Sequence, residues 1–391
     1  MMKKLAIIVF ACCLATNVMA EDKQQMFNPV HTALVSQIIA PDARAGGMGD
    51  VGVATEADAS SQYWNPAKYP FAISKGGVQL NYTPWLRKLV NDMNIAYLSG
   101  YYRINDFSAV SGSIHYFSLG EVYTSSGGTS TEYDMTIKPY EMSVDAGYSL
   151  MLSEKFSLGA AVRFLLSDMS YSATEETSAS SAFAADISCY YQNYINIGQR
   201  ECMLGLGANF SNIGSKIKFG GSDRSEFIPT NMRLGASLKL PINEYNTITI
   251  ATDINKLLVP TYPKQREGES TTDYDARVQK EYYDVGSIAG IFRSFSDAPG
   301  GFSEEMKEIQ WSAGLEYCYN DKFSLRGGYH DEAESKGNRK YFTVGAGFRM
   351  NVFSLDAAYV ISTASSNPLD QTLRFSLNFD LDGIKDLFGR R

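Results

Sequence analysis

The chain has 391 residues, a formal net charge of -8, 25 tyrosines and 21 phenylalanines beside 33 glycines, and five cysteines. An acidic chain with no Lys/Arg cluster lacks the electrostatic footprint of a nucleic-acid binder, so nucleic acid is excluded as a partner. So few cysteines likewise exclude a disulfide-built scaffold.

Residues 1–20 read as a secretory signal peptide. Lys3 and Lys4 form a basic start, residues 5–14 an apolar run, and Val18-Met19-Ala20 a small-x-small cleavage site. The run is too short for a membrane helix, which needs about 20 apolar residues. The remaining chain is therefore expected to be exported. Cys12 and Cys13 lack a leucine three residues upstream, so no lipid anchor is expected. Cys189, Cys202 and Cys318 remain after cleavage and read as structural thiols, although spacing leaves one bridged pair open.

Residues 21–75 precede the first strand pattern. Val35, Ile38 and Ile39 suggest a short helix. Residues 41–67 then carry Gly46, Gly47, Gly49 and Gly52 after Arg44, an acidic small-residue run, and Trp64-Asn65-Pro66-Ala67. Glycines permit close backbone approach and Pro66 fixes the chain after Asn65, so this segment is read as a plug in the lumen of the following sheet. A phosphate-binding glycine loop fits less well, because no strand precedes the glycines and no helix-length apolar stripe follows.

Two-residue alternation runs from residue 76 to residue 381. Val78, Leu80 and Tyr82 oppose Gln79, Asn81 and Thr83; Leu373, Phe375, Leu377 and Phe379 oppose Arg374, Ser376 and Asn378. Fourteen such segments begin near residues 76, 92, 107, 138, 156, 182, 200, 230, 246, 309, 322, 340, 352 and 370. Many reach the length of about 9 to 11 residues that a tilted membrane strand needs. Tight turns such as Asn105-Asp106 and Asn320-Asp321 alternate with long loops around 122–137, 171–181, 213–229 and 259–308. Short turns on one rim and long loops on the other describe an outer-membrane barrel with periplasmic turns and extracellular loops. The competing reading is a soluble β-sandwich. The charges Arg163, Arg233, Glu316, Asp356 and Arg374 on the polar face disfavour it, since a closed barrel places them in a wet lumen and leaves no edge strands. The expected fold is all-β: a 14-stranded antiparallel transmembrane β-barrel with an N-terminal lumenal plug.

The insertion at 259–308 is the largest departure from a plain barrel. Tyr282, Val285, Ala289 and Phe292 recur at helical spacing, with Ile288, Ile291 and Phe295 beside them, and Pro299-Gly300-Gly301 ends the helix. Tyr282, Val285, Ile288, Phe292 and Phe295 are the candidate partner-binding residues, with Tyr282 and Phe292 as anchors. A lid folded over the barrel mouth is the plainer alternative. Residues 382–391 form a C-terminal tail, expected in the periplasm with the N-terminus.

Chemistry is sparse. Ser111, Ser113 and His115 share a strand face, but no neighbouring carboxylate orients the histidine, so no catalytic residue is assigned. Asp273, Asp275 and Glu281 lack the spacing of a calcium loop. Neither metal nor cofactor is expected.

Ala43-Arg44-Ala45-Gly46-Gly47-Met48-Gly49, Asp58-Ala59 and Asn65-Pro66-Ala67 resemble the plug of the FadL-type outer-membrane barrels, whose N-terminal residues fold into a hatch inside the lumen. Within that superfamily the exported chain as a whole looks most like the PorV (LptO) family of the type IX secretion system. The resemblance implies a non-enzymatic partner of the giant translocon barrel. Such a protein receives cargo by its C-terminal signal domain and shuttles it to the PorU-type sortase complex at the cell surface, in contact with outer-membrane lipids. Two alternatives follow from the same resemblance: a FadL-like transporter of a hydrophobic small molecule, and a lipopolysaccharide O-deacylase.

Overall fold

The computed structural model describes residues 27–124, 135–169, 179–220, 223–363 and 369–388. The signal-peptide reading for 1–20, and parts of the loops around 122–137 and 171–181, lie outside the described residues. So do residues 389–391 of the tail.

Sixteen strands follow in chain order: β1 (Gly76–Pro84), β2 (Asn94–Arg103), β3 (Ser108–Ser118), β4 (Val122–Thr124), β5 (Met135–Ile137), β6 (Tyr140–Ser153), β7 (Phe156–Asp168), β8 (Ser180–Ile197), β9 (Arg200–Gly214), β10 (Asn231–Pro241), β11 (Asn246–Leu257), β12 (Gln310–Tyr319), β13 (Phe323–Asp331), β14 (Tyr341–Arg349), β15 (Phe353–Ser362) and β16 (Leu373–Asp380). All but β4 and β5 form one closed, 14-stranded antiparallel barrel, while β4 and β5 pair as a hairpin within the β3–β6 connection. Closure comes from β1 against β16, with Gly77 opposite Asp380 and Tyr82 opposite Phe375. No described helix is long and apolar enough to cross a membrane; the strands cross instead.

The burial pattern is inside out, for a physical reason. On β1, Gln79, Asn81 and Thr83 are buried, while Leu80 is 50 % and Tyr82 47 % exposed. The same holds for Leu98, Val144, Val162, Ile250, Leu315, Val344 and Phe375, which together form a belt of exposed apolar side chains around the barrel. Such a belt is costly in water and neutral in hydrocarbon, so it disposes of the soluble sandwich.

The short rim is built from turn chemistry. Asn320 and Asp321 both take positive φ, 53° and 52°, between β12 and β13, a conformation that Asn and Asp tolerate better than other side chains. On the opposite rim lies the insertion. The expected single helix is broken there: a helix at Thr271–Val278 runs into a wider turn at Gln279–Tyr283, and a second helix covers Ser287–Arg293. Gly286 sits at the break in an extended conformation, φ -68° and ψ 152°. Beyond β16 the tail begins as a helix, Leu381–Phe388, against β1 and β16.

Candidate functional site

The N-terminal segment threads the barrel interior through a short 3₁₀ turn at Val35–Ile38, a helical turn at Ala43–Gly46, another at Ser61–Trp64, and a 3₁₀ stretch at Pro66–Phe71. Backbone-to-strand contacts hold it. Asp253 of β11 accepts from the amides of Gly52 and Val53 at 2.8 and 3.0 Å. Asn65 donates through Nδ2 to Val53 O (3.0 Å) and to Cys189 O of β8 (2.9 Å), and its Oδ1 accepts from Ala67 N (3.1 Å). One side chain therefore ties two parts of the segment to the wall.

Gly49 and Gly52 meet neighbours that leave no room for a side chain, and Gly47 packs closely on Gly345. A Cβ on Gly52 would fall 2.3 Å from the Trp64 ring, and Gly49, at φ 74°, lies against the Tyr329 backbone. The wall answers in kind: a Cβ on Gly328 would be 2.1 Å from Gly49 N, and one on Gly207 would be 2.4 Å from Val53 O. Nothing in the alternation of the strands singled these wall glycines out. Their signal is glycine on the inward parity of a strand.

The inward charges are not solvated as the sequence suggested. Arg163 pairs with Asp145 (3.1 Å) and Asp186 (2.8 Å), Arg326 with Glu316 and Asp356 at 2.6 Å each, and Arg374 with Asp50. Arg44 of the segment bridges Asp58 (3.0 Å) and Glu316 (3.2 Å). The N-terminal segment occupies much of the lumen, so these charges find counter-ions within the fold, whereas Arg233 makes no ion pair among the described residues and donates to Tyr63 O (3.1 Å) and to the Tyr63 hydroxyl (2.8 Å). Burial, helped by Asp58, pushes the Asp42 carboxyl up to about 6, and it accepts from Trp64 Nε1 at 2.6 Å. Burial likewise lowers the Lys68 ammonium to about 8; it donates to Gly52 O at 2.7 Å.

The five candidate residues of the insertion do not form one exposed stripe. Tyr282 is fully buried and Val285 nearly so, packed with Phe227 and Val259. The Tyr282 hydroxyl donates to His31 O at 3.1 Å, which ties the insertion to the N-terminal segment. Ile288, Phe292 and Phe295 are exposed, Phe292 at 74 %. The break at Asp284–Gly286 turns the second helix away from the first, which separates the two sets. Phe302 and Met306, unnoticed in the sequence because they fall after the predicted stop, are also exposed on the insertion.

Ser113 and His115 share a strand face but do not meet, and a serine and a histidine pair instead on β12 and β13. His115 Nδ1 lies 3.1 Å from Gln37 Nε2, and Ser113 Oγ donates to Asp145 at 2.8 Å, so the two are not partners. Ser312 Oγ and His330 Nδ1 are 2.9 Å apart on neighbouring strands β12 and β13, with Tyr341 stacked on the imidazole. Both are buried, and the adjoining cavity of about 40 Å³ is too small for an acyl chain. Cys189, Cys202 and Cys318 are free thiols. Among the described residues no cluster of His, Cys, Asp or Glu is arranged to hold a metal.

A closed barrel with a lipid-facing apolar belt and a lumen occupied by its own N-terminal segment is a plugged β-barrel of the outer membrane. The family model described as "Type IX secretion system protein PorV" matches residues 21–264, and the chain belongs to that family. It is thus an outer-membrane barrel of the type IX secretion system. No curated protein matches it in sequence. Among solved structures it is similar to the Pseudomonas putida toluene transporter TodX (10 % identity, 91 % of this chain and 98 % of that one, TM-score 0.45). It is also similar to the Ralstonia pickettii toluene transporter TbuX (12 %, 87 % and 96 %, 0.44) and to a Pseudomonas aeruginosa FadL homologue (13 %, 90 % and 99 %, 0.42). Identities this low do not carry function across.

Proposed function

We propose that the chain is a non-enzymatic carrier of type IX secretion. It contacts the giant translocon barrel, takes cargo by its C-terminal signal domain, and passes it to the PorU-type sortase complex at the cell surface. Its long connections face outward and both termini face the periplasm. The observation that carries this reading is the division of labour within the fold. Much of the lumen is taken up by the ion-paired N-terminal segment, and the insertion on the loop rim holds Ile288, Phe292 and Phe295 out in solvent. Exposed apolar side chains gain about 25 cal/mol per Å² when a partner covers them, and aromatic residues commonly anchor such contacts. Phe292→Ser with Phe295→Ser should leave barrel abundance unchanged while reducing the cargo and translocon recovered with the protein from detergent-solubilised outer membrane. Normal recovery would reject the contact.

Transport of a hydrophobic small molecule is the second reading. It is favoured by a cavity of about 390 Å³ beneath the loop rim, with Val35, Ile38, Trp85, Leu86 and Phe117 among its lining. Uptake of a hydrophobic solute by the intact protein in liposomes, unaffected by the double serine variant, would favour transport over carriage. A lipopolysaccharide O-deacylase fits least, because the Ser312–His330 pair has no room for substrate.

A further inference from the structure

Lys256 breaks the pattern of its strand. Along β11 the inward parity carries Ala251 and Asp253, both buried, while Ile250 and Ile254 on the outward parity are exposed. Asn255 and Leu257 line the lumenal cavity of about 40 Å³, so Lys256 between them starts from the outer face of the wall. Yet Lys256 is buried. What covers it is the last turn of the insertion, Phe302–Glu305 followed by Met306–Glu308. The ammonium pairs with Glu305 at 3.2 Å and with Glu308 at 2.5 Å, and the Glu305 carboxylate also accepts from Ala298 N at 2.7 Å. Glu308 pairs in addition with Lys336 at 2.9 Å, which ties the turn to the β13–β14 connection. The turn is thus bolted to the end of β11 on the side of the wall that carries the apolar belt.

We propose that this turn seats the insertion on the membrane, with Phe302 and Met306 in the lipid of the leaflet at the loop rim. Glu305 and Glu308 take the wall side of the turn. Phe302 and Met306, four residues apart, share another side and are exposed, Phe302 at 79 %. The height fits lipid. Trp311 opposite Ile254, Tyr329 and Phe342 form a band of outward rings across β12, β13 and β14, with successive centroids 5.3 and 4.8 Å apart. Such bands mark the membrane interface. Lys256 stands two residues beyond Ile254, about 7 Å along the strand and about 5 Å in height at a tilt of about 40°. The interfacial layer adds about 5 to 7 Å on each side of the hydrocarbon. The turn therefore lies in that layer and continues the aromatic band. Apolar side chains on an interfacial turn sink toward the acyl chains, as they do on helices lying in the interface plane. A lysine on the outward face is tolerated beside lipid because two carboxylates cover it. The inference rests on the barrel and not on the carrier reading, and it sets Phe302 and Met306 apart from Ile288, Phe292 and Phe295.

The test places the photo-crosslinking residue p-benzoylphenylalanine at position 302, at 306, or at the mid-belt reference position of Leu315, in the full-length protein in isolated outer membranes. Heat-shifted mobility selects assembled barrels, and mass spectrometry assigns each adduct as lipid or protein. Both 302 and 306 are exposed, so one serves if the variant at the other fails to assemble. Lipid adducts should form there at no less than about a third of the yield at 315. A lower lipid yield, or protein adducts in excess of lipid adducts, would overturn the proposal, and the second result would assign the turn to a protein partner instead. Cargo is not part of the readout, so failure of this inference and failure of the carrier reading are told apart.

Discussion

Asn65→Leu tests whether the N-terminal segment is held as a unit by the wall. The substitution keeps the number and branching of the side-chain heavy atoms and removes three hydrogen bonds: Nδ2 to Val53 O, Nδ2 to Cys189 O, and Ala67 N to Oδ1. The site is fully buried, so water does not replace them freely. At about 1 kcal/mol net for each bond, docking of the segment weakens by about 3 kcal/mol. Local opening then becomes about a hundredfold more populated. Hydrogen exchange by mass spectrometry on the detergent-folded protein should show amides in 41–67 losing about a hundredfold of protection, while the strand amides keep theirs. Protection within threefold of the parent protein would refute the reasoning. Equal loss in segment and strands would show that the two melt together.

Further outcomes are expected. Gly328→Val places a side chain where Gly49 N and Met48 C now lie, so it should displace the segment and raise single-channel conductance in planar bilayers; a sealed pore would contradict the close packing. Tyr282→Ser removes a fully buried ring and should cost the insertion about 3 to 5 kcal/mol, seen as rapid cleavage within 259–308. Phe292→Ser, at an exposed position, should leave cleavage unchanged. Burial, together with Glu305 and Glu308, raises the Asp297 carboxyl from 3.8 to about 6. The folded insertion therefore holds more protons than the unfolded one between those values, and its stability falls as pH rises through that window and levels off above it. Asp297→Asn should flatten the profile of protease resistance against pH. The barrel itself should keep its sheet signal in mild detergent and shift its electrophoretic mobility only on boiling.

The wall of this protein was legible in the sequence because a strand has a period of two and only a membrane barrel turns its apolar parity outward. Val78, Leu80 and Tyr82 against Gln79, Asn81 and Thr83 state that parity without any knowledge of neighbours, and the starts of the strands could be read to within a few residues. Asn320-Asp321 announced its turn for an equally local reason, the tolerance of those side chains for positive φ.

What the interior does was decided only in three dimensions. Arg44, Glu316 and Asp356 lie on distant stretches of chain, and although the β12–β13 pairing sets Glu316 opposite Arg326, no spacing rule says that all four meet as one chain of ion pairs beside a cavity of about 70 Å³. Gly328 and Gly207 look like ordinary strand glycines until the Met48–Gly49 and Val53 backbones arrive against them. Helical periodicity placed Tyr282 and Phe292 on one face, yet the break after Tyr283 buries the first and exposes the second. Local pattern fixes which way a side chain points from its own backbone; what occupies the space it points into is set by residues far away in sequence, and only the closed fold brings them there.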